Sequence, residues 1–322
     1  MEFQIKVLFG EKHGIIYSKK YKEDEYMITA AMLKNAIISA AENIRRYSDE
    51  VDDINVFPVP DGDTGTNLTL TLTGCAKAVA KLPDILSAGE FADKAAGALL
   101  RSARGNSGVI FSLIFKGFAK SIECLDEIDA VSLAKALEAG SDEAYASIEK
   151  PTEGTMLTVI RLAAAKASSA AAKGCTAEET FMQALAGAEA SLRTTTNLLP
   201  ALKKHGVVDA GGQGLIHIMR GMAGTAEPSS QSTMKEEEKN NRAHSTEYIY
   251  CTEFLINSPR RTDIASLRTT LSGFGNSTAV AEHSGIIKVH VHTNSPDKAL
   301  STGLELGELS DIKIDNMRIQ SE

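Results

Sequence analysis

Long apolar runs are missing from this chain of 322 residues. None approaches the ~20 residues that a helical membrane span needs, so no membrane span is expected. Excess positive charge is missing too. The formal net charge is -8, which argues against a general polyanion-binding surface and makes nucleic acid a poor first partner, although an acidic protein still binds nucleotides through metal ions. Cysteine is sparse: Cys75, Cys124, Cys175 and Cys251 are too scattered for a disulfide framework and fit a reducing, cytoplasmic compartment. Residues 1–26 break their apolar positions with charges every few residues, unlike a signal peptide, and are expected to be an N-terminal extension or an added leader. What is present is a globular composition, 43% hydrophobic, with length for two domains at roughly 100–200 residues each.

From Met27 to about Met222 the pattern predicts helix after helix, roughly over 27–46, 67–82, 88–103, 107–121, 130–149, 155–173, 177–194 and 211–222. Leu33, Ile37, Ala41 and Ile44 form one amphipathic stripe. Ser87 with Glu90, and Thr176 with Glu179, match the capping box that opens a helix. In "NLTLTLTG" the leucines alternate with threonines as in a strand, yet Leu68, Leu72, Cys75 and Val79 also make a helical stripe; helix is preferred because the pattern continues into "CAKAVAKL". Residues 225–246 have almost no apolar content and read as a flexible linker. Beyond them the order of elements is β-α-β-β-α-β, the split βαβ arrangement of ferredoxin-like modules. The expected architecture is an all-α domain over 27–224 followed by a small α/β domain over 247–322.

One stretch, "NVFPVPDGDTGTN", is both polar and stiff. Asp61 and Asp63 flank a glycine in a turn held by Pro58 and Pro60. Two close carboxylates repel unless a cation lies between them, which points to a hard divalent metal; Asn55 can add a carbonyl oxygen. Mg2+ fills much of its shell with phosphate oxygens, so such a metal implies a phosphorylated ligand. Taken alone, Asp-Gly-Asp is more commonly a surface turn. Its neighbours change that balance. "TGTN", residues 64–67, opens the next helix and offers hydroxyls and free N–H groups at its positive end. Gly105, Asn106, Ser107 and Gly108 make a second Gly-rich helix opening, "PTEGTMLTV" a third, and "GVVDAGGQGLIHI" a fourth. None is a Walker A sequence or a Rossmann fingerprint.

In this order, "INVFPVPDGDTGTN", "ARGNSGVI", "EGTMLTV" and "GVVDAGGQGL" resemble the nucleotide-binding domain shared by dihydroxyacetone kinase, in its L-subunit, with the ATP-binding subunit of bacterial fatty acid kinase. With "YCTEFLI", "KVHVHTN" and "GELSDIKIDNMR" the resemblance runs from about residue 27 to the end and is closer to the fatty acid kinase. It implies an eight-helix barrel with ATP at one mouth and two Mg2+ ions. By position Asp61 and Asp63 match the metal-binding aspartates, and Asn55 falls near a third ligand. Thr64, Gly65, Thr66, Asn67, Asn106, Ser107 and Gly108, with Gly105 beside them, match phosphate-contacting loops. Thr155 with Met156, and Asp209, Ala210 and Gly211, match segments lining adenine and ribose. The family's full-length subunit continues into a domain that engages its acyl-carrying partner, so this chain is expected to be a fragment or short paralogue that binds ATP yet phosphorylates poorly.

The acceptor follows from acid–base chemistry. A fatty acid carboxyl, with a reference pKa near ~4 to 5, is ionised at neutral pH and needs no general base, whereas a hydroxyl needs one. No histidine lies within the phosphate-loop motifs, which mildly favours a carboxylate acceptor and an acyl phosphate product; that a separate acyl-binding protein presents the acid is what the resemblance implies. Arg104 is a candidate charge stabiliser or a helix-surface arginine. His290 and His292 stand two apart on a strand and so share a face. Pairing of the first and third strands would set Cys251 beside them, with Glu253 or water to complete a shell around a metal such as Zn2+; solvent-facing histidines are the alternative. The resemblance implies zinc, held by Cys251, His290 and His292. A kinase subunit of dihydroxyacetone type and a non-catalytic nucleotide and zinc scaffold are the rival readings, and homodimerisation is left open.

Overall fold

The computed structural model describes residues 27–225, 247–260 and 263–320; the expected extension over 1–26 and nearly all of the expected linker lie outside the described residues. Its helical part comprises α1 (Ala30–Arg46), α2 (Ser48–Asp53), α3 (Thr64–Val79), α4 (Ala88–Ser102), α5 (Gly105–Ser121), α6 (Ala130–Ser147), α7 (Met156–Ala171), α8 (Ala177–Leu198), α9 (Pro200–His205) and α10 (Ala210–Met222). The eight long helices close a ring, each packing on the next from α1 through α3 to α8, with α10 returning from α8 to α1. Both capping boxes form: Ser87 with Glu90, and Thr176 with Glu179, exchange side-chain and backbone hydrogen bonds.

The ambiguous "NLTLTLTG" segment is helical, in α3. Leu68, Leu72, Cys75 and Val79 are fully buried along one stripe, while Leu70 is 51% exposed, so the 3.6-residue period prevailed over the alternation. Two six-residue helices, α2 and α9, were not expected, being too short for a periodic signal. α9 carries local cues all the same: Pro200 at its start and Gly206 in the left-handed region at its end.

The second part contains β1 (Tyr250–Asn257), α11 (Ile264–Ser272), β2 (Gly275–His283), β3 (Ile286–Thr293), α12 (Pro296–Leu306), β4 (Glu308–Asn316) and α13 (Met317–Gln320). The strands order β2-β3-β1-β4, every neighbouring pair antiparallel, as the split βαβ reading requires. One sheet face, with Phe254, Ile256, Val280, Val289 and Val291, packs on α11 and α12 around its own core. The opposite face carries Cys251, Glu253, Lys288, His290 and His292 and turns toward the helical ring; Ala279 and Ala281 of β2 belong to the helical core. An isolated bridge from Ile148 to Ala279, and His283 Nε2 at 3.1 Å from the Asp93 carbonyl, join the two parts. Alternation of apolar and polar side chains thus serves β1, β2 and β3, which are mostly buried, while the edge strand β4 stays largely exposed.

Candidate functional site

The four Gly-rich openings are the N-termini of α3, α5, α7 and α10. They meet in two pairs: the start of α5 lies against that of α3, at Gly105 and Asn67, and the start of α10 against that of α7, at Gly211 and Met156. At the first, Asn55 and Asp61 pair within the stiff loop, Asn55 Nδ2 donating to Asp61 Oδ1 at 2.7 Å. Asn55 thus supports Asp61 as a donor, whereas the sequence reading had it offering a carbonyl oxygen. Burial first, then the charge of Asp63, push the Asp61 carboxyl up to about 7 against that hydrogen bond. Two carboxylates held this close favour a proton or a cation between them.

One expectation is corrected at the start of α3. The N–H groups of Gly65 and Thr66 are not free: Asp52 of α2 accepts from both, and from Thr66 Oγ1 at 2.7 Å. A carboxylate on the positive end of a helix is favourable, and this one comes from another element. A second correction concerns Gly105 and Gly108. They were expected to let the backbone approach a ligand, but a Cβ at either would strike Asn67 or Thr71 of α3, so they serve the close packing of α3 on α5. Gly105 also has φ +59°, in the region that favours glycine. Its N–H donates at 2.6 Å to Glu253 Oε1 of the sheet.

Arg104 caps α5 through its extended backbone, its own N–H donating to Thr71 Oγ1 at 3.1 Å and its guanidinium standing 3.7 Å from Glu253. It is therefore an interface arginine, not a free helix-surface one. Thr155 caps α7 by accepting from Leu157 N–H. Asp209 caps α10, its Oδ2 accepting from Gly212 N–H at 2.7 Å, and it also accepts from the backbone of Met156. Met156 side-chain atoms border Gly211, so Thr155, Met156, Asp209, Ala210 and Gly211 form one junction between α7 and α10.

A cleft between the helical ring and the sheet brings together Asn55, Asp61, Asp63, Thr64, Asn67, Gly105, Asn106 and Ser107 with Cys251, His290 and His292. The α7–α10 junction does not line it. Glu253, Lys313 and Asp315 do, and sequence reading gave the last two no part. Cys251 Sγ lies 3.8 Å from His290 Nδ1, and one ligand atom from each of Cys251, His290 and His292 falls within 4.8 Å of the others. The solvent-facing alternative does not hold, since His290 is 1% and His292 4% exposed. Burial and the neighbouring His290 press His292 down to about 3, while against its own burial Cys251 and Glu253 raise His290 to about 10, so a metal would meet one neutral imidazole and displace a proton from the other. His290 Nε2 and His292 Nδ1 are buried with no hydrogen-bond partner. This donor set fits a metal of zinc type.

Comparison with known families bears on this cleft. The model of the DAK2 domain matches residues 58–224. The chain belongs to the DAK2-domain family. A second model, for the FakA-like middle domain of fatty acid kinase, matches 247–322, so the cleft of this DAK2-domain protein forms where the two matched segments meet. Protein YloV of Bacillus subtilis is 40% identical over 302 residues, 88% of this chain and 54% of its own. An uncharacterised protein of Staphylococcus haemolyticus is 40% identical over 309 residues, 91% of this chain and 56% of its own. The chain thus spans a little over half the length of these curated relatives. Among solved structures, the dihydroxyacetone kinase from C. freundii in complex with AMP-PNP and Mg2+ aligns with a TM-score of 0.47 and 15% identity, over 70% of this chain and 38% of that one.

Asp209 lies within the DAK2 match and has a pH signature. Complete burial pushes its carboxyl up to about 7 despite the hydrogen bonds from Gly212 and Met156. An acid whose folded pKa is raised loses stability as pH climbs from its unfolded value toward the folded one. Asp209→Asn keeps a capping side chain and removes the titration. Its stability relative to wild type, measured by chemical denaturation, is expected to rise between about pH 4 and pH 7 and to stay level above.

Proposed function

We propose that this chain is the nucleotide-binding part of an ATP-dependent kinase that transfers a phosphoryl group to the carboxylate of a fatty acid, presented by a separate acyl-binding protein, to give an acyl phosphate. The observation that carries the reading is the Asp61–Asp63 pair on a braced loop, facing a cleft with the starts of α3 and α5. Asp61 and Asp63, with Asn55 beside them, would hold two Mg2+ ions. When bound, these ions would neutralise charge on the phosphates, the main requirement of phosphoryl transfer. Thr64, Asn67, Asn106 and Ser107 offer hydroxyl and amide groups to phosphate oxygens. Gly65, Thr66, Gly105 and Gly108 shape those helix starts. The α7–α10 junction, Thr155, Met156 and Asp209 to Gly211, is the proposed adenine and ribose wall, and Arg104 a source of positive charge near the γ-phosphate.

Cys251, His290 and His292 would hold Zn2+ in a structural or docking role. The helical unit 27–224 and the α/β unit 247–322 act as two domains in this reading, located in the cytoplasm; among the described residues no helix is long and apolar enough to cross a membrane.

A second reading has its own observation. His290 and His292 line the same cleft, so the lack of histidine in the phosphate-loop motifs does not exclude a general base, and a hydroxyl acceptor such as dihydroxyacetone is the alternative. As zinc ligands both rings would be engaged, which favours the carboxylate. ATP consumption by the purified protein separates the two. Turnover with an acyl-binding protein carrying oleate is expected; turnover with dihydroxyacetone alone would overturn the fatty acid assignment.

A further inference from the structure

Among the described residues, Glu253 is the one acid buried at the junction of the two parts. It sits mid-way along β1, on the face that meets the start of α5, and its side chain is 2% exposed. Burying a carboxylate costs several kcal/mol unless charges and hydrogen bonds answer it, and an apolar residue would pack such a face at no such cost. Four groups converge on it. Gly105 N–H donates to Oε1 at 2.6 Å, His290 Nδ1 lies 2.9 Å from the same oxygen, Lys288 Nζ donates to Oε2 at 3.2 Å, and the Arg104 guanidinium stands 3.7 Å away. Lys288, fully buried, supplies the compensating charge. Burial would raise the Glu253 carboxyl, but the hydrogen bond and charge of His290, then Lys288 and the Gly105 N–H, hold it well below the usual carboxylate range.

Two of these partners belong to different sites. His290 Nδ1 is the atom 3.8 Å from Cys251 Sγ, within the metal-type cluster. Gly105 N–H is a backbone donor at the start of α5, where the proposed function sets a phosphate. We infer that Glu253 is a positioning residue that couples metal occupancy at Cys251, His290 and His292 to nucleotide affinity at the start of α5. His290 Nε2, buried and partnerless, can take the metal while Nδ1 donates its N–H to Glu253 Oε1. With the cluster loaded, that N–H becomes a stronger donor to Oε1, the oxygen that also accepts from Gly105, so the hold on Gly105 relaxes and leaves its N–H for a phosphate oxygen. Coupling of this kind is reciprocal, so nucleotide also tightens the metal.

The inference rests on the proposed nucleotide site, and its test keeps the two separable. The full chain, zinc-loaded and zinc-stripped, is titrated calorimetrically with AMP-PNP in excess Mg2+, and zinc is measured independently by chelator competition. Stripping zinc from wild type is expected to weaken AMP-PNP about tenfold, within the usual range of coupling between sites. Glu253→Gln should keep its zinc and lose that dependence. Because it leaves Lys288 unpaired, the double variant Glu253→Gln with Lys288→Met, neutral at both positions, is run beside it. AMP-PNP affinity indifferent to zinc in wild type, an unchanged zinc dependence in both variants, or no zinc uptake by wild type overturns the coupling alone. No AMP-PNP binding in any state overturns the functional reading with it.

Discussion

Asp61→Asn is expected to abolish magnesium-dependent nucleotide binding while making the protein more stable. Asparagine preserves the shape of Asp61 and its contact with Asn55, but takes away half of the paired charge that a cation would answer. Losing one carboxylate of a metal that neutralises phosphate charge is expected to cost about 100-fold or more in turnover, the scale of removing one charge-stabilising group from a catalytic site. Stability moves the other way. Burial and the Asp63 charge raise Asp61 to about 7, whereas the unfolded chain ionises it near pH 4 at no such cost, so stability is lost as pH rises from about 4 through 7. At pH 8 the neutral isostere escapes this cost. A thermal melt and an ATPase assay on one preparation are enough: higher melting temperature with lost turnover supports the assignment, and retained turnover removes Asp61 from the metal site.

Gly65→Ala carries the second largest expected effect. Its Cβ would fall on the Ser48 carbonyl oxygen, and would stand 2.8 Å from Ser48 C and 3.0 Å from its Cα. Backbone lies on both sides, so neither can swing away as a flexible side chain would. A loss of about 3 kcal/mol is expected, the upper part of the range for overpacking, together with displacement of the α3 start from Asp52. Gly174→Ala is the control. It has φ +79° but nothing within 4 Å of an added Cβ, so only the left-handed backbone is penalised, at about 1–2 kcal/mol. Urea denaturation of the two variants separates steric from backbone cost; equal losses would mean that the α2–α3 contact yields easily.

How much of this was legible in the sequence depends on how far apart the partners are. Signals that live within one turn of helix were readable: Ser87 with Glu90, Thr176 with Glu179, and the buried stripe of Leu68, Leu72, Cys75 and Val79. So was the pairing of β1 with β3, which sets Cys251 opposite His292 and Glu253 opposite His290, because the order of elements constrains a split βαβ sheet. The period-two rule put both histidines on one face, but which layer covers that face is a tertiary fact. Asp52 was missed although it stands three residues before Asn55, since no local pattern says that an acid in one short helix caps the next. Glu253 was read only as one choice to complete a metal shell. Its contact with Gly105 joins positions 148 residues apart, and a lone acid in an apolar strand carries no mark of such a partner. The glycines of α5 were read as open to a ligand because a sequence does not reveal what would strike a missing side chain.

The central claim is that Asp61 and Asp63 bind a nucleotide through magnesium. Calorimetric titration of the purified chain with ATP, in Mg2+ and again in EDTA, tests it most directly. Saturable binding that requires Mg2+ is the predicted result; equal binding in EDTA, or none in either buffer, would contradict it.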